Sequence, residues 1–342
     1  MKESWGVWPL ALVIAACSGP RGSLYVTSGA SDAVVVLDAS DGSRLAELSL
    51  DRRVGELDEP HGVAVAPDGR HVYATLAHGD PTLWKFERAG DRLVGRLSLE
   101  SSGAARIAVS ADSRTGYVAD YERGSRGAPG EVIAVGLHEL TIDARARPCA
   151  APHDARPSPS GRVVAVACSH SDEVVFLEAG SLSESARAFV GPEPGSAGAP
   201  RYRPLNLAWV GDDLVAVTLA ASGEVLLLGV DGEQRGRAQV GAGPAQIAFE
   251  AGSGRLVTAN RGDGSASILQ LEPLAEIRRV ELGVVRPHGV DVDAASGTAF
   301  VTYEGEVDSA GGALAVDLAS GRVLWSVAAG YYTLGVAYAP PR

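Results

Sequence analysis

A ten-residue motif returns seven times along this chain, and its period restricts the fold more than any other feature. The copies are Pro60-His-Gly-Val-Ala-Val-Ala-Pro-Asp-Gly, Ala104-Ala-Arg-Ile-Ala-Val-Ser-Ala-Asp-Ser and Pro152-His-Asp-Ala-Arg-Pro-Ser-Pro-Ser-Gly. They continue with Pro204-Leu-Asn-Leu-Ala-Trp, Pro244-Ala-Gln-Ile-Ala-Phe, Pro287-His-Gly-Val-Asp-Val and Thr333-Leu-Gly-Val-Ala-Tyr. Successive starts differ by 44, 48, 52, 40, 43 and 46 residues. A period in the forties with several short strands per repeat is the mark of propeller blades.

Each repeat supplies four strands. In the first, Val63 to Val65 meets a turn at Pro67-Asp68-Gly69, and His71 to Leu76 follows. Thr82 to Phe86 and Leu93 to Leu99 complete the unit. These β-branched or aromatic runs are separated by Gly, Asp and Ser, which is strand and hairpin chemistry. Residues 24 to 50 resemble the last three strands of a unit without the first, and Gly335 to Ala339 resembles a first strand alone. Joining them predicts an all-β, seven-bladed propeller closed by the two ends of the chain, with no long open edge. Although 342 residues could hold two domains, the unbroken repeat argues for one, over 24–342.

Tyr25-Val-Thr-Ser, Tyr73-Ala-Thr-Leu and Phe300-Val-Thr-Tyr, with Pro60 to Gly69, resemble the repeat of the YVTN family of seven-bladed propellers. The resemblance spans about residues 23 to 340. It implies the fold and an exported, surface or periplasmic protein, but names no activity.

The first sixteen residues read as a signal peptide. Lys2 precedes an apolar run from Leu10 to Ala16, too short to span a bilayer as a helix. Ile14-Ala15-Ala16-Cys17 resembles a bacterial lipobox, in which the cysteine is lipidated and becomes the first mature residue. Ser18 rather than Asp then implies outer-membrane sorting. Residues 17–23 would form a tether of roughly 25 Å, holding the propeller close to its membrane. The net charge of −12 and the presence of only two lysines, Lys2 and Lys85, disfavour nucleic-acid binding, which needs a basic stripe. The chain is expected to be a monomer.

Two cysteines remain besides Cys17. Cys149 and Cys168 fall on the same face of the third blade, and export permits a disulfide between them. Two buried thiols or a metal role are the alternatives.

The face carrying the loops that enter the first strand is where propellers usually place their sites. His61, His153 and His288 share one motif position there, and His78 and His170 each follow 17 residues after His61 and His153. Arg106, Asn206, Gln246 and Glu304 are assigned to the same ligand-binding face. Three imidazoles converging on the channel could hold zinc or copper, bind a polar small molecule or a protein, or simply bond to backbone. Lactonases of similar fold have a histidine at the strand entry and a glutamate after the second strand. Glu304 sits at the matching place, but Gly289 stands where the histidine belongs and His288 lies one residue early. A one-residue slip turns a side chain to the opposite face. The four acid/base and arginine positions of such an enzyme therefore cannot all be filled. No GxSxG, HExxH, P-loop or CxxCH motif is present. The favoured reading is a tethered, non-enzymatic binding or scaffold module. Two Gly/Pro-rich insertions, Glu122 to Gly130 and Gly191 to Pro200, read as loops; the second, on the histidine face, is either a partner-contacting lid or, as favoured, a solvated excursion.

If Cys17 carries the anchor, Cys17→Ala moves the protein from the membrane fraction to the soluble exported fraction on cell fractionation.

Overall fold

The computed structural model describes residues 22–51, 58–121, 127–306 and 308–342. The proposed signal peptide, Cys17 and most of the tether lie outside them, as do residues 122–126 of the first insertion. The described chain forms 28 strands, β1 to β28 in chain order, arranged as seven antiparallel four-stranded sheets. The innermost strands are β4 (Pro60–Val65), β8 (Ala104–Val109), β12 (Pro152–Pro157) and β16 (Pro204–Trp209). β20 (Pro244–Glu250), β24 (Pro287–Asp293) and β28 (Thr333–Ala339) complete the set. Each begins where a copy of the repeat begins. Each touches the next around the ring, and β28 touches β4, so these strands wall a central channel.

Closure follows the expected scheme. β28 is the inner strand of a sheet whose other members are β1 (Ser23–Ser28), β2 (Ala33–Asp38) and β3 (Arg44–Ser49). Leu24 pairs with Tyr338 and Val26 with Val336.

Packing explains why the middle strands read as continuous apolar runs rather than alternating ones. Successive side chains of a strand point to opposite faces, and each blade is covered on both. Val34 and Val36 pack against Val72, Trp84 and Phe86 of blade one. Val35 and Leu37, from the same strand, pack against Phe300 and Ala315 of blade six. Seven such apolar seams, one between each pair of neighbouring blades, make up the core. The outermost strands alternate because they face water; β3 is exposed at Arg44, Leu45, Glu47 and Ser49.

Polar stitches cross the seams nearest the channel. Thr302 Oγ1 accepts the Gly289 N–H of its own blade at 2.8 Å and donates to the Leu334 carbonyl of the next at 2.6 Å. Thr75 does the same for Gly62 and Ala105, Thr27 for Gly335 and His61, and Thr218 for Asn206 and Ala245. All four hydroxyls are fully buried. At the periphery arginines act similarly. Arg187 pairs with Glu173 and donates to the Pro148 carbonyl, and Arg145 pairs with Glu131 and donates to the Leu99 carbonyl. A guanidinium can serve both partners at once, which a lysine ammonium does less well.

Cys149 and Cys168 are joined in a disulfide with Cα atoms 5.8 Å apart, tying the entry of blade three to the end of its second strand.

Thr302→Val keeps the shape but leaves the buried Gly289 N–H without its partner and takes one of two donors from the Leu334 carbonyl. It is expected to lower the unfolding free energy by about 2 kcal/mol, measured by urea denaturation.

Candidate functional site

The residues that enter the channel do so because of a local irregularity repeated around the ring. In every inner strand from β4 to β24 the pairing with the second strand slips near the start, between Pro60 and Val63 in β4 and between Pro287 and Val290 in β24. A bulge re-aims the side chains within it. The second residue of the strand, otherwise committed to a seam, turns into the channel mouth. His61, His153 and His288 are those second residues.

The three imidazoles meet. The His61 ring centroid lies 6.2 Å from that of His153 and 6.0 Å from that of His288. Tyr121, directly after the second strand of blade two, stands 5.9 Å from His61 and 5.8 Å from His153. They line a pocket of about 350 Å³ with Glu59, Arg203, Arg261, Glu304 and Tyr332.

Hydrogen bonding fixes the protonation of two of these rings. His153 Nδ1 lies 3.1 Å from the Leu205 carbonyl and His288 Nδ1 3.3 Å from the Leu334 carbonyl. A carbonyl only accepts, so each Nδ1 carries a proton and donates it. Burial, reinforced by the neighbouring His61, pushes His153 down to about 3 and His288 well below the usual imidazole value. Both are therefore neutral at physiological pH, and each Nε2 holds a free lone pair. His61 is buried, its Nδ1 3.5 Å from Glu59 Oε1, and its Nε2 has no hydrogen-bond partner among the described residues.

Glu59 holds the acidic side of the pocket. Burial alone would raise its pKa, but bonds and charge from His61 and His78 bring it below the ordinary carboxylate value. Its second oxygen lies 3.1 Å from His78 Nε2. Its position comes from the backbone. Glu59, Arg203 and Tyr332 each precede an inner strand with φ of 49°, 55° and 56°. That left-handed conformation costs of order 1 kcal/mol outside glycine, and it tips these side chains into the pocket. Asp32 Oδ1, accepting from the Asp58 and Glu59 N–H groups, holds the turn in place.

Not every expected residue is here. Glu304 lines the pocket, but both of its oxygens accept from Arg261, at 2.5 and 2.8 Å. His78 reaches the pocket only through Glu59, and His170 does not line it. Arg106, Asn206 and Gln246 are third residues of their strands, one step past the histidine level, and they lie below the pocket rather than in it. Asn206 Oδ1 accepts the Ile247 N–H at 2.9 Å and Gln246 Oε1 the Val290 N–H at 3.3 Å, so both stitch blades together. Among the described residues no three His, Cys, Asp or Glu side chains are already arranged as a metal-ligand set; the centroids of His153 and His288 lie 6.2 and 6.0 Å from that of His61. The 191–200 excursion is largely exposed, and its base is anchored. Buried Asp172 accepts N–H groups from Gly195, Arg201, Tyr202 and Arg203 at 2.6 to 2.9 Å.

Sequence reasoning missed Glu59, Tyr121, Arg203, Arg261 and Tyr332. All are residues just before an inner strand or just after the strand paired with it. Reading one place outside each repeated segment would have found them.

The assembled architecture is a seven-bladed propeller with a polar, histidine-lined channel mouth. No known family and no curated protein matches the chain. Solved structures do. A functionally unknown protein from Desulfotomaculum acetoxidans DSM 771 superposes with a TM-score of 0.74 at 12% identity, over 94% of this chain and 100% of that one. The periplasmic gluconolactonase PpgL of Pseudomonas aeruginosa gives 0.72 at 17%, over 94% and 99%. The dihydro-heme d1 dehydrogenase NirN, in complex with DHE, gives 0.60 at 15%, over 93% and 75%. At such identities the likeness is one of fold.

The depressed histidines set a pH dependence. Between about 6.5 and the folded value, the unfolded chain binds protons that the folded one does not, so stability falls as pH falls. Urea unfolding at pH 7 and pH 5 is expected to show a loss on the order of 1 kcal/mol per pH unit for each histidine. His153→Asn with His288→Asn flattens that loss.

Proposed function

We propose that the protein is a non-enzymatic binding protein of YVTN-repeat type, lipid-tethered to the cell envelope, that captures a small, uncharged, hydroxyl-rich molecule at the histidine mouth. The observation that carries this reading is the convergence of neutral imidazoles. His153 and His288 present lone pairs at Nε2, and the buried Nε2 of His61 has no partner. Buried polar atoms are seldom left unmatched, and hydroxyl groups of a sugar or polyol would supply the missing donors. Glu59 can accept a further hydroxyl, while Tyr121 and Tyr332 offer flat apolar surface of the kind sugar rings stack on.

The lactonase alternative draws on the fold shared with a gluconolactonase, but Glu304 is committed to Arg261 and Gly289 stands in place of a strand-entry histidine. The lipid anchor rests on the Ala15-Ala16-Cys17 segment alone.

The test is a thermal-shift and calorimetric titration of the mature protein with neutral hexoses and hexitols, alongside Zn²⁺, Cu²⁺ and sugar lactones. A hexose or hexitol is expected to raise the melting temperature. His61→Gln or His153→Gln is expected to weaken its binding at least tenfold. Stoichiometric metal binding lost on the same substitutions, or lactone turnover lost on Glu304→Gln, would overturn the proposal. So would the absence of any sugar or polyol response.

A further inference from the structure

The third residues of the inner strands form a ring of their own below the histidines, and one member breaks its rule. Three of them accept the N–H of the fourth residue in the next blade. Asp154 Oδ2 takes that of Leu207, Asn206 Oδ1 that of Ile247, and Gln246 Oε1 that of Val290. In blades six, seven and one the position is glycine. At Gly289 a Cβ would stand 2.4 Å from the Leu334 carbonyl oxygen, and at Gly335 2.6 Å from that of His61. Blade two has Arg106. A guanidinium has no lone pair and cannot accept anything.

Arg106 does not make a substitute bond elsewhere. Its side chain is 10% exposed, and its Nε and Nη1 have no hydrogen-bond partner among the described residues. The nearest counter-charge, Asp154 Oδ1, lies 3.8 Å from Nε, beyond hydrogen-bond reach, and is itself unpartnered. The other Asp154 oxygen is already used by Asn206, Leu207 and Arg156. Leaving charged donors buried and unmatched is costly, and such a group calls for a ligand.

A cavity receives it. At the end of the channel away from the histidines lies a space of about 420 Å³, walled by the later residues of the inner strands and lined by Arg106 and Arg156. Trp209, Phe249, Tyr338 and Val65 supply an apolar collar. The carboxylate there, Asp291, accepts from the Val292 and Tyr338 N–H groups, and burial raises its pKa.

We propose that this second mouth binds an organic monocarboxylate with a compact apolar body, its carboxylate taken by Arg106 with Arg156 beside it, and its body held against Trp209, Phe249 and Tyr338. A carboxylate supplies the two in-plane acceptors that a guanidinium fork matches, and Arg106 Nε and Nη1 have no acceptor of their own among the described residues. The site is separate from the histidine pocket and does not depend on what binds there.

The experiment is calorimetric titration of the mature protein with benzoate and cyclohexanecarboxylate, with inorganic phosphate and benzyl alcohol as comparison probes. Both carboxylates are expected to bind at one equivalent, and benzyl alcohol is not. Arg106→Gln should weaken carboxylate binding tenfold or more, and Arg106→Lys less so. His61→Gln, at the other mouth, should leave it unchanged, which separates this result from the sugar test. Circular dichroism of Arg106→Gln establishes that the variant is folded; should it unfold, Arg156→Gln serves in its place. Phosphate binding without carboxylate binding, undiminished binding in both variants, or no binding by either carboxylate overturns the proposal.

Discussion

The structure depends on one small bond pattern repeated near its axis, the threonine hydroxyl that bridges two inner strands. Seven wedge-shaped sheets packed only through apolar side chains would be held at their seams by forces with little directional preference. The hydroxyls of Thr27, Thr75, Thr218 and Thr302 add direction, each setting its blade against the next by one accepted and one donated bond. Each satisfies backbone groups that the bulge at the strand entry has freed from the sheet ladder. The bulge and the threonine are therefore one device. The first re-aims the second residue into the channel, and the second absorbs the polar cost of doing so.

The same device lets the histidines bond to the backbone and still leave an atom open to the channel. His153 and His288 donate from Nδ1 to the carbonyl of the next blade's second residue, which at Leu334 is the carbonyl that Thr302 also uses. The backbone bond and the proposed binding role are not rivals, since the first fixes the tautomer that leaves Nε2 open.

What could be read from the sequence divides along physical lines. The blade count, the composite closing blade and the first residue of every inner strand follow from periodicity, because period and turn chemistry are local properties. The histidine cluster was legible for the same reason, as a repeated position. Its floor was not. Arg106, Asn206 and Gln246 sit next to the histidine position in sequence, but the bulge separates neighbours that a regular strand would only alternate. Glu304 reads as a free acid in the sequence, and Arg261, which occupies it, lies 43 residues away in the preceding blade. Pairing of that kind exists only once the ring is closed.

The closing blade also sets which way the molecule faces. Ser23 pairs with Ala339 at the end of β28, next to Tyr338, which lines the arginine-bearing mouth. β1 therefore begins on that side. Were the proposed lipid anchor to hold the chain at Cys17, the arginine mouth would lie on the side where β1 begins and the histidine mouth on the opposite one. The two ends of the channel would then sample different surroundings, one the narrow layer above a surface and the other the free compartment.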